Sequence, residues 1–184
     1  YYAGTELNGF CYVGPQDWIS HPGTVGKPLI GVIHICDDDG VEVEAGQSGL
    51  IYFEREEQAF EYHNAPEKTR SSQHPDHRLW TTLGDVGRVD EDGFLYLTDR
   101  KAFMIISGGV NIYPQEIEDR LILHPEVADV AVFGVPNADF GEEVKAVVQP
   151  AEGTEGTEGL ERRLLDYARE HIAGFKVPRS VDFR

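Results

Sequence analysis

The chain is poor in cysteine, in methionine and in positive charge. Its 184 residues include two cysteines and one methionine, and 16 basic side chains stand against 33 acidic ones, for a formal net charge of -17. Cys11 and Cys36 are too few for a disulfide scaffold and their spacing fits no zinc motif, so a reducing compartment, the cytoplasm, is the expected location. The shortage of Lys and Arg argues against a surface that tracks nucleic acid or adsorbs to an anionic bilayer. No apolar run approaches the ~18 residues of a spanning helix, and no signal peptide opens the chain. The seven histidines show no metal spacing, and His74 and His77 read as solvated loop residues. The first residue is Tyr1 rather than Met, so the chain is expected to be a piece of a longer protein.

What is present argues for packed structure. A hydrophobic share of 40% is too high for a disordered acidic tail. The length suits one large domain or two small ones, at roughly 100 to 200 residues each. Pro15, Pro22, Gly23, Gly26 and Pro28 argue against a helix early on. Leu29 to Cys36 reads as a strand that stops at the hairpin turn Asp37-Asp38-Asp39-Gly40. Leu50 to Phe53, Trp80 to Val86 and Phe94 to Leu97 read as further strands, with Asp90-Glu91-Asp92-Gly93 as a turn, so residues 10 to 98 form a mainly β unit. After Arg100 the pattern changes. Phe103 to Ile106 reads as a strand and Ser107-Gly108-Gly109 as a tight loop. Pro114 at a first helical position, followed by acids, opens a helix. Val127 to Val135 and Val144 to Val148 read as strands. The run 152 to 159, EGTEGTEG, reads as a solvated linker. Leu160, Leu164, Ala168 and Ile172 repeat every four residues, giving an amphipathic helix over 160 to 172 with Gly174 as its stop. The fold class expected is α+β: a β-rich, barrel-like subdomain, then a small α+β domain. Residues 1 to 100 carry 18 acids and 7 bases, and residues 101 to 184 carry 15 and 9, so the halves are not held together by bulk charge.

Several short segments carry chemistry. Tyr2-Ala3-Gly4-Thr5-Glu6 is a glycine turn with one acid. Leu83-Gly84-Asp85 ends a strand with a carboxylate whose two oxygens suit paired hydroxyl donors. Thr98-Asp99-Arg100-Lys101 offers a guanidinium fork for phosphate or ribose oxygens. Ile105-Ile106-Ser107-Gly108-Gly109-Val110-Asn111-Ile112-Tyr113-Pro114 holds adjacent glycines, which let backbone approach a ligand. In this order, with Thr24 to Pro28, Asn64 to Thr69, Val135-Pro136, Gly141-Glu142-Glu143 and Gly174-Phe175-Lys176-Val177-Pro178, these segments resemble the carboxy-terminal part of the adenylate-forming superfamily. The glycine loop looks like the acyl-CoA synthetase, fatty-acid–CoA ligase, branch.

That resemblance implies an ATP-dependent ligase that activates a carboxylic, fatty, acid as an acyl-adenylate and passes it to coenzyme A. Residues 1–98 would be the last subdomain of the large AMP-binding domain, 99–103 the hinge with Lys101 and Ala102, and 104–184 the small mobile domain, lacking its terminal lysine element. Tyr2 would line the adenine, Gly4 would belong to the nucleotide site, and Thr5 would hydrogen-bond phosphate. Glu6 would hold magnesium, Asp85 the ribose hydroxyls, and Arg100 ribose or phosphate. Gly108 and Gly109 would border the pantetheine, Phe175 would pack on it, and Arg179 would meet CoA phosphates. Partners implied are the acid, ATP, CoA and the amino-terminal part of the same protein. The chain departs from the pattern at Ala3, Leu83 and Ala102, where Gly, Thr and an Asp or Lys are usual. Leu83 and Ala102 favour an alternative, a non-catalytic fragment or scaffold of the same fold; an aryl-acid or luciferase-like adenylating enzyme is another. Without the upstream phosphate loop and the terminal lysine, the 184 residues are expected not to catalyse adenylation by themselves. Pyrophosphate release by this chain at the rate of a full-length ligase would overturn that expectation.

Overall fold

The computed structural model describes residues 1–184, and the chain divides into two compact units, Tyr1–Lys101 and Ala102–Arg184. In the first unit, β1 (Tyr2–Ala3), β2 (Phe10–Tyr12) and β3 (Lys27–Ile30) form a small antiparallel sheet, with α1 (Pro15–Ser20) between β2 and β3. The second sheet is ordered β4 (Val32–Cys36), β5 (Gly49–Glu54), β7 (Asp85–Val89), β8 (Leu95–Arg100). Helix α2 (Pro66–Ser71) leads to β6 (Trp80–Thr81), which pairs with β5. Cys11, Ile35, Ile51, Phe53 and Leu95 make the core of this unit. The two sheets stay open, joined by an isolated bridge between Gly26 and Leu95, and no closed barrel forms.

Several expectations for this unit are corrected. A helix does form at Pro15, because proline at a first helical position lacks only an N–H that is unpaired there anyway. The runs 29–36 and 80–86 are each split, at Gly31 and Gly84, whose φ angles of 82° and 87° turn the backbone out of the extended conformation there. His74 is buried, not solvated. Its Nε2 lies 2.8 Å from the Gly40 carbonyl, and its Nδ1 accepts from the backbone N–H groups of Asp76 and His77. The ring thus supplies partners that two loops lack. The Asp37 turn is as expected: Asp37 Oδ1 accepts from the N–H groups of Asp39 and Val41.

In the second unit, β9 (Ile105–Ser107) and β10 (Val110–Ile112) form a hairpin at one edge of a five-stranded sheet. Its long antiparallel pair is β11 (Val127–Asn137) and β12 (Gly141–Pro150), and β13 (Ser180–Phe183) runs parallel to β12. Helices α3 (Pro114–Leu121) and α4 (Glu158–His171) cover one face. Their apolar stripes, Ile117 with Leu121 and Leu160 with Leu164 and Ala168, are fully buried against Val132, Ala146 and Val148. Carboxylates fasten both helices to strands, since Glu118 accepts from the Val132 N–H and Glu161 from the Val181 N–H.

The end of the acidic run is structured: the Thr157 hydroxyl accepts from Leu160 N–H to cap α4, and Gly156 lies against Phe183, where a Cβ would come within 2.5 Å of a ring neighbour. Gly174 does not terminate α4 in a left-handed cap; Ile172 ends it in extended backbone, and Gly174 opens a short 3-10 turn to Lys176. Leu164 is fully buried, so Leu164→Ala is expected to cost about 2–5 kcal/mol of stability in denaturant unfolding, with the loss confined to the second unit.

Candidate functional site

Three segments that lie far apart in sequence meet at one carboxylate. Asp85 begins β7, beside the bend at Gly84, whose N–H donates to the Thr82 hydroxyl and whose carbonyl accepts from the Lys101 N–H. Strand β8 runs antiparallel to β7 and places Arg100 opposite Asp85. The Arg100 Nε donates to Asp85 Oδ1 at 2.8 Å, and the Tyr2 hydroxyl donates to Oδ2 at 2.6 Å. The carboxylate is 11% exposed and the guanidinium 58%, so the cation reaches outward while the anion stays enclosed. Burial and the adjoining carboxylate push the Tyr2 phenol far above its usual range, which keeps it a donor. Two of the roughly four acceptor positions of the carboxylate are filled; two stay open to another pair of hydroxyls. The side chain of Arg100 thus pairs with Asp85, while its backbone N–H donates to Asp99 Oδ1 at 2.6 Å.

Glu6 forms a second polar group. Its Oε1 accepts from the Tyr62 hydroxyl at 3.0 Å and its Oε2 from the Thr5 hydroxyl at 3.1 Å. Lys68 Nζ stands 4.0 Å from the centre of the Tyr62 ring. Gly4 connects the two groups: a Cβ there would lie 2.1 Å from Leu83 Cδ1 and 3.2 Å from Glu6 Oε2, so Leu83 fills the space that Gly4 leaves. Asp85 and Arg100 therefore meet directly, whereas Glu6 lies on the Tyr62 side and touches neither. The Tyr2 ring packs on Phe53 at 6.1 Å, and its hydroxyl is spent on Asp85, which makes it a positioning group for that carboxylate.

In the second unit, Gly108 and Gly109 take φ values of 58° and 79° between the paired Ser107 and Val110. Two consecutive left-handed residues make the two-residue hairpin that side chains resist, hence the glycines. The Gly108 N–H donates to the Phe140 carbonyl, and the Arg179 guanidinium lies 5.8 Å from the Phe140 ring. Phe175 is 56% exposed and keeps company with Lys176, whose Nζ meets Glu116 at 2.6 Å. Lys101 starts a 3-10 turn through Ala102 to Phe103, and its Nζ pairs with Asp38 at 2.7 Å.

Tyr62, Lys68, Asp38 and Phe140 were not among the expected site residues. Tyr62 had one signal, an aromatic side chain in a polar stretch just before Asn64-Ala65-Pro66. The cysteines take no part: burial pushes the Cys11 thiol up to about 12 and that of Cys36 to about 11, so both stay protonated.

The comparisons agree with this architecture. The AMP-binding enzyme C-terminal domain matches residues 116–184. A long-chain-fatty-acid–CoA ligase of Yersinia pestis is 35% identical over 184 residues, which is 100% of this chain and 32% of the relative. A 2-succinylbenzoate–CoA ligase of Bacillus cereus is 34% identical over 183 residues, 99% of this chain and 36% of the relative. ATP-bound MatB from Rhodopseudomonas palustris superposes with a TM-score of 0.77 at 36% identity, covering 89% of this chain and 32% of that one. The o-succinylbenzoate CoA synthetase of Bacillus subtilis, in complex with its acyl-adenylate intermediate, gives 0.77 at 31% identity over 95% of this chain and 34% of that one. The chain thus spans about a third of the length of these proteins. Over nearly all of its length it is similar to acid–CoA ligases. Its residues 116–184 match a carboxy-terminal domain of AMP-binding enzymes, in agreement with the resemblance to the carboxy-terminal part of that family. The relatives' names include fatty, succinylbenzoic and anthranilic acids, so the branch by itself specifies a carboxylic acid rather than a fatty one.

Two outcomes are expected. Tyr2→Phe removes a hydrogen bond to a charged partner and should lower stability by about 1.5–3 kcal/mol, read by urea unfolding. The backbone N–H of Glu6, the Tyr62 and Thr5 hydroxyls and the charge of Lys68 together hold the Glu6 carboxyl below its ordinary 4.5, against the opposing pull of burial. A depressed folded value contributes stability above the ordinary pKa and loses it as pH falls through the folded value. The stability gap between the parent and Glu6→Gln should be full at pH 7 and close as the pH drops below 4.5.

Proposed function

We propose that the chain is part of an ATP-dependent acid–CoA ligase and supplies its ribose clamp. The observation that carries this reading is the buried Asp85 carboxylate, oriented by Tyr2 and Arg100 and left with acceptor capacity on both oxygens. The vicinal hydroxyls of a ribose are the matching donors. In the reaction, a substrate carboxylate oxygen bonds to the α-phosphorus of ATP while the bond to pyrophosphate breaks. The thiol sulfur of CoA then bonds to the acyl carbon, and AMP leaves with the electron pair of the broken acyl–oxygen bond. Asp85 holds the nucleotide in place through both steps, and Arg100 orients that carboxylate and extends its exposed guanidinium toward ribose or phosphate oxygens.

Thr5 and Glu6 are assigned to the phosphate side. Glu6 is a single carboxylate with spare lone pairs on both oxygens, which fits the way magnesium is held, through one or two carboxylates plus substrate phosphates. Magnesium bound there would neutralise phosphate charge. In the second unit, the Gly108–Gly109 hairpin, Arg179 and exposed Phe175 are assigned to the CoA-dependent step, with the hinge at Lys101 and Ala102. The acid is inferred to be a fatty acid, supported by the long-chain ligases among the relatives. The cytoplasm suits this chemistry and the two unpaired thiols. No helix is long and apolar enough to cross a membrane.

Calorimetric titration of AMP into the 184-residue protein tests the clamp. Asp85→Asn should weaken binding by at least about tenfold, roughly 1.4 kcal/mol, while circular dichroism stays that of the parent. Equal AMP affinity in the two proteins would remove the ribose clamp and favour the scaffold. In the full-length ligase, acyl-CoA formation from palmitate but not from benzoate is the outcome expected for the fatty-acid assignment.

A further inference from the structure

The face of the second sheet turned away from Asp85 holds another cleft. The register pairs Leu50 with Val86, so these share a face, and Asp85, next along β7, points to the other. Leu50 and Tyr52 of β5 line a cleft of about 620 Å³ whose remaining walls come from Tyr62, α2, the Ser72–Pro75 segment, Thr82 to Gly84 and Lys101, so that it adjoins the Glu6 group through the Tyr62 ring. The chain has 33 carboxylates, yet none lines this cleft, whereas Lys68, Arg70 and Lys101 all do. With a net charge of -17, the protein as a whole repels anions, and a concave cationic wall is where that repulsion is locally reversed.

The cations are free to act. Arg70 forms no ion pair. Lys68 is spread over the Tyr62 ring, with Glu6 within reach of its charge. Lys101 pairs with Asp38, but both partners are substantially exposed, at 45% and 62%, and such a pair is weak and exchangeable. A second, independent feature points to a ligand. Tyr52 is 94% buried (6% exposed) on the cleft wall, its ring meets the edge of His74, and its hydroxyl has no hydrogen-bond partner in the protein. Burial raises its pKa, so the group stays a donor. The hydroxyl itself is not enclosed, since Thr81 Oγ1 is the one fully buried side-chain oxygen without a partner; it opens into the cleft, where a ligand oxygen can take the place of water.

We propose that this cleft is an anion site for a ligand with adjacent phosphate groups, separate from the Asp85 clamp. The guanidinium fork of Arg70 matches phosphate oxygens, Lys68 and Lys101 supply point charges, and Tyr52 donates from the floor. The size lies within the range of small-molecule pockets and exceeds what one carboxylate needs. Two sources share this chemistry: free pyrophosphate and the phosphate chain of a nucleotide.

Inorganic pyrophosphate, titrated calorimetrically into the 184-residue protein without added metal, is the probe. One-to-one binding is expected, weakened at least tenfold by Arg70→Glu, a few-fold by Tyr52→Phe, and unchanged by Asp85→Asn. AMP binding should show the reverse dependence, kept in Arg70→Glu and lost in Asp85→Asn, so failure of the cleft and failure of the clamp give different results. Competition between ATP and pyrophosphate at the cleft identifies nucleotide phosphates as the source; its absence identifies free pyrophosphate. Arg70 is exposed and unpaired, so Arg70→Glu should fold like the parent, which circular dichroism checks. Lack of saturable pyrophosphate binding by the parent, or equal binding by Arg70→Glu, overturns the proposal.

Discussion

Asp85 is the group on which the first unit depends. It draws Tyr2, the first residue of the first strand, and Arg100, the last residue of the last strand, onto a single carboxylate, across sequence separations of 83 and 15 residues. A largely buried carboxylate is expensive unless its charge and lone pairs are answered. Here one oxygen is answered by a cation and the other by a phenol locked in its protonated form. The two donors occupy only about half of the acceptor capacity of the carboxylate and leave the rest open.

Glycine shapes the site by what it omits. At Gly4 the missing side chain admits Leu83, which brings the Glu6 segment up to the strand that ends in Asp85. At Gly108 and Gly109 the backbone takes a hand that side chains oppose, and the hairpin they make lies against Phe140. The departures from the family pattern have different consequences. Leu83 gains a packing role in exchange for the hydroxyl usual there, while nothing in the structure explains Ala102.

Charge is distributed with the same locality. A chain with twice as many acids as bases uses many of its carboxylates as backbone acceptors, at Asp37, Asp90, Glu118, Glu142 and Glu161, where each closes a turn or fastens two elements. The bases are few, and three of the eight in the first 101 residues border one cleft that has no acid in its wall. The net charge therefore says little about which ligands the protein meets; the local arrangement of a few cations says more.

The sequence by itself determined most of the elements and the family that the chain resembles. Periodicity marked α3, α4 and the β11–β12 pair, because each buries a regular stripe, and the ordered short segments from Tyr2 to Pro178 marked the ligase branch. It misjudged α1, the fate of His74 and the ends of α4, since these hang on which backbone groups find partners from distant segments. Only the tertiary structure decided that Tyr2 serves Asp85 through its hydroxyl, that Glu6 belongs with Tyr62, and that Tyr52 opens onto a cationic cleft. Hydrogen bonds of this kind join residues dozens of positions apart, and their geometry is set by strand register and close packing, which local sequence patterns do not encode.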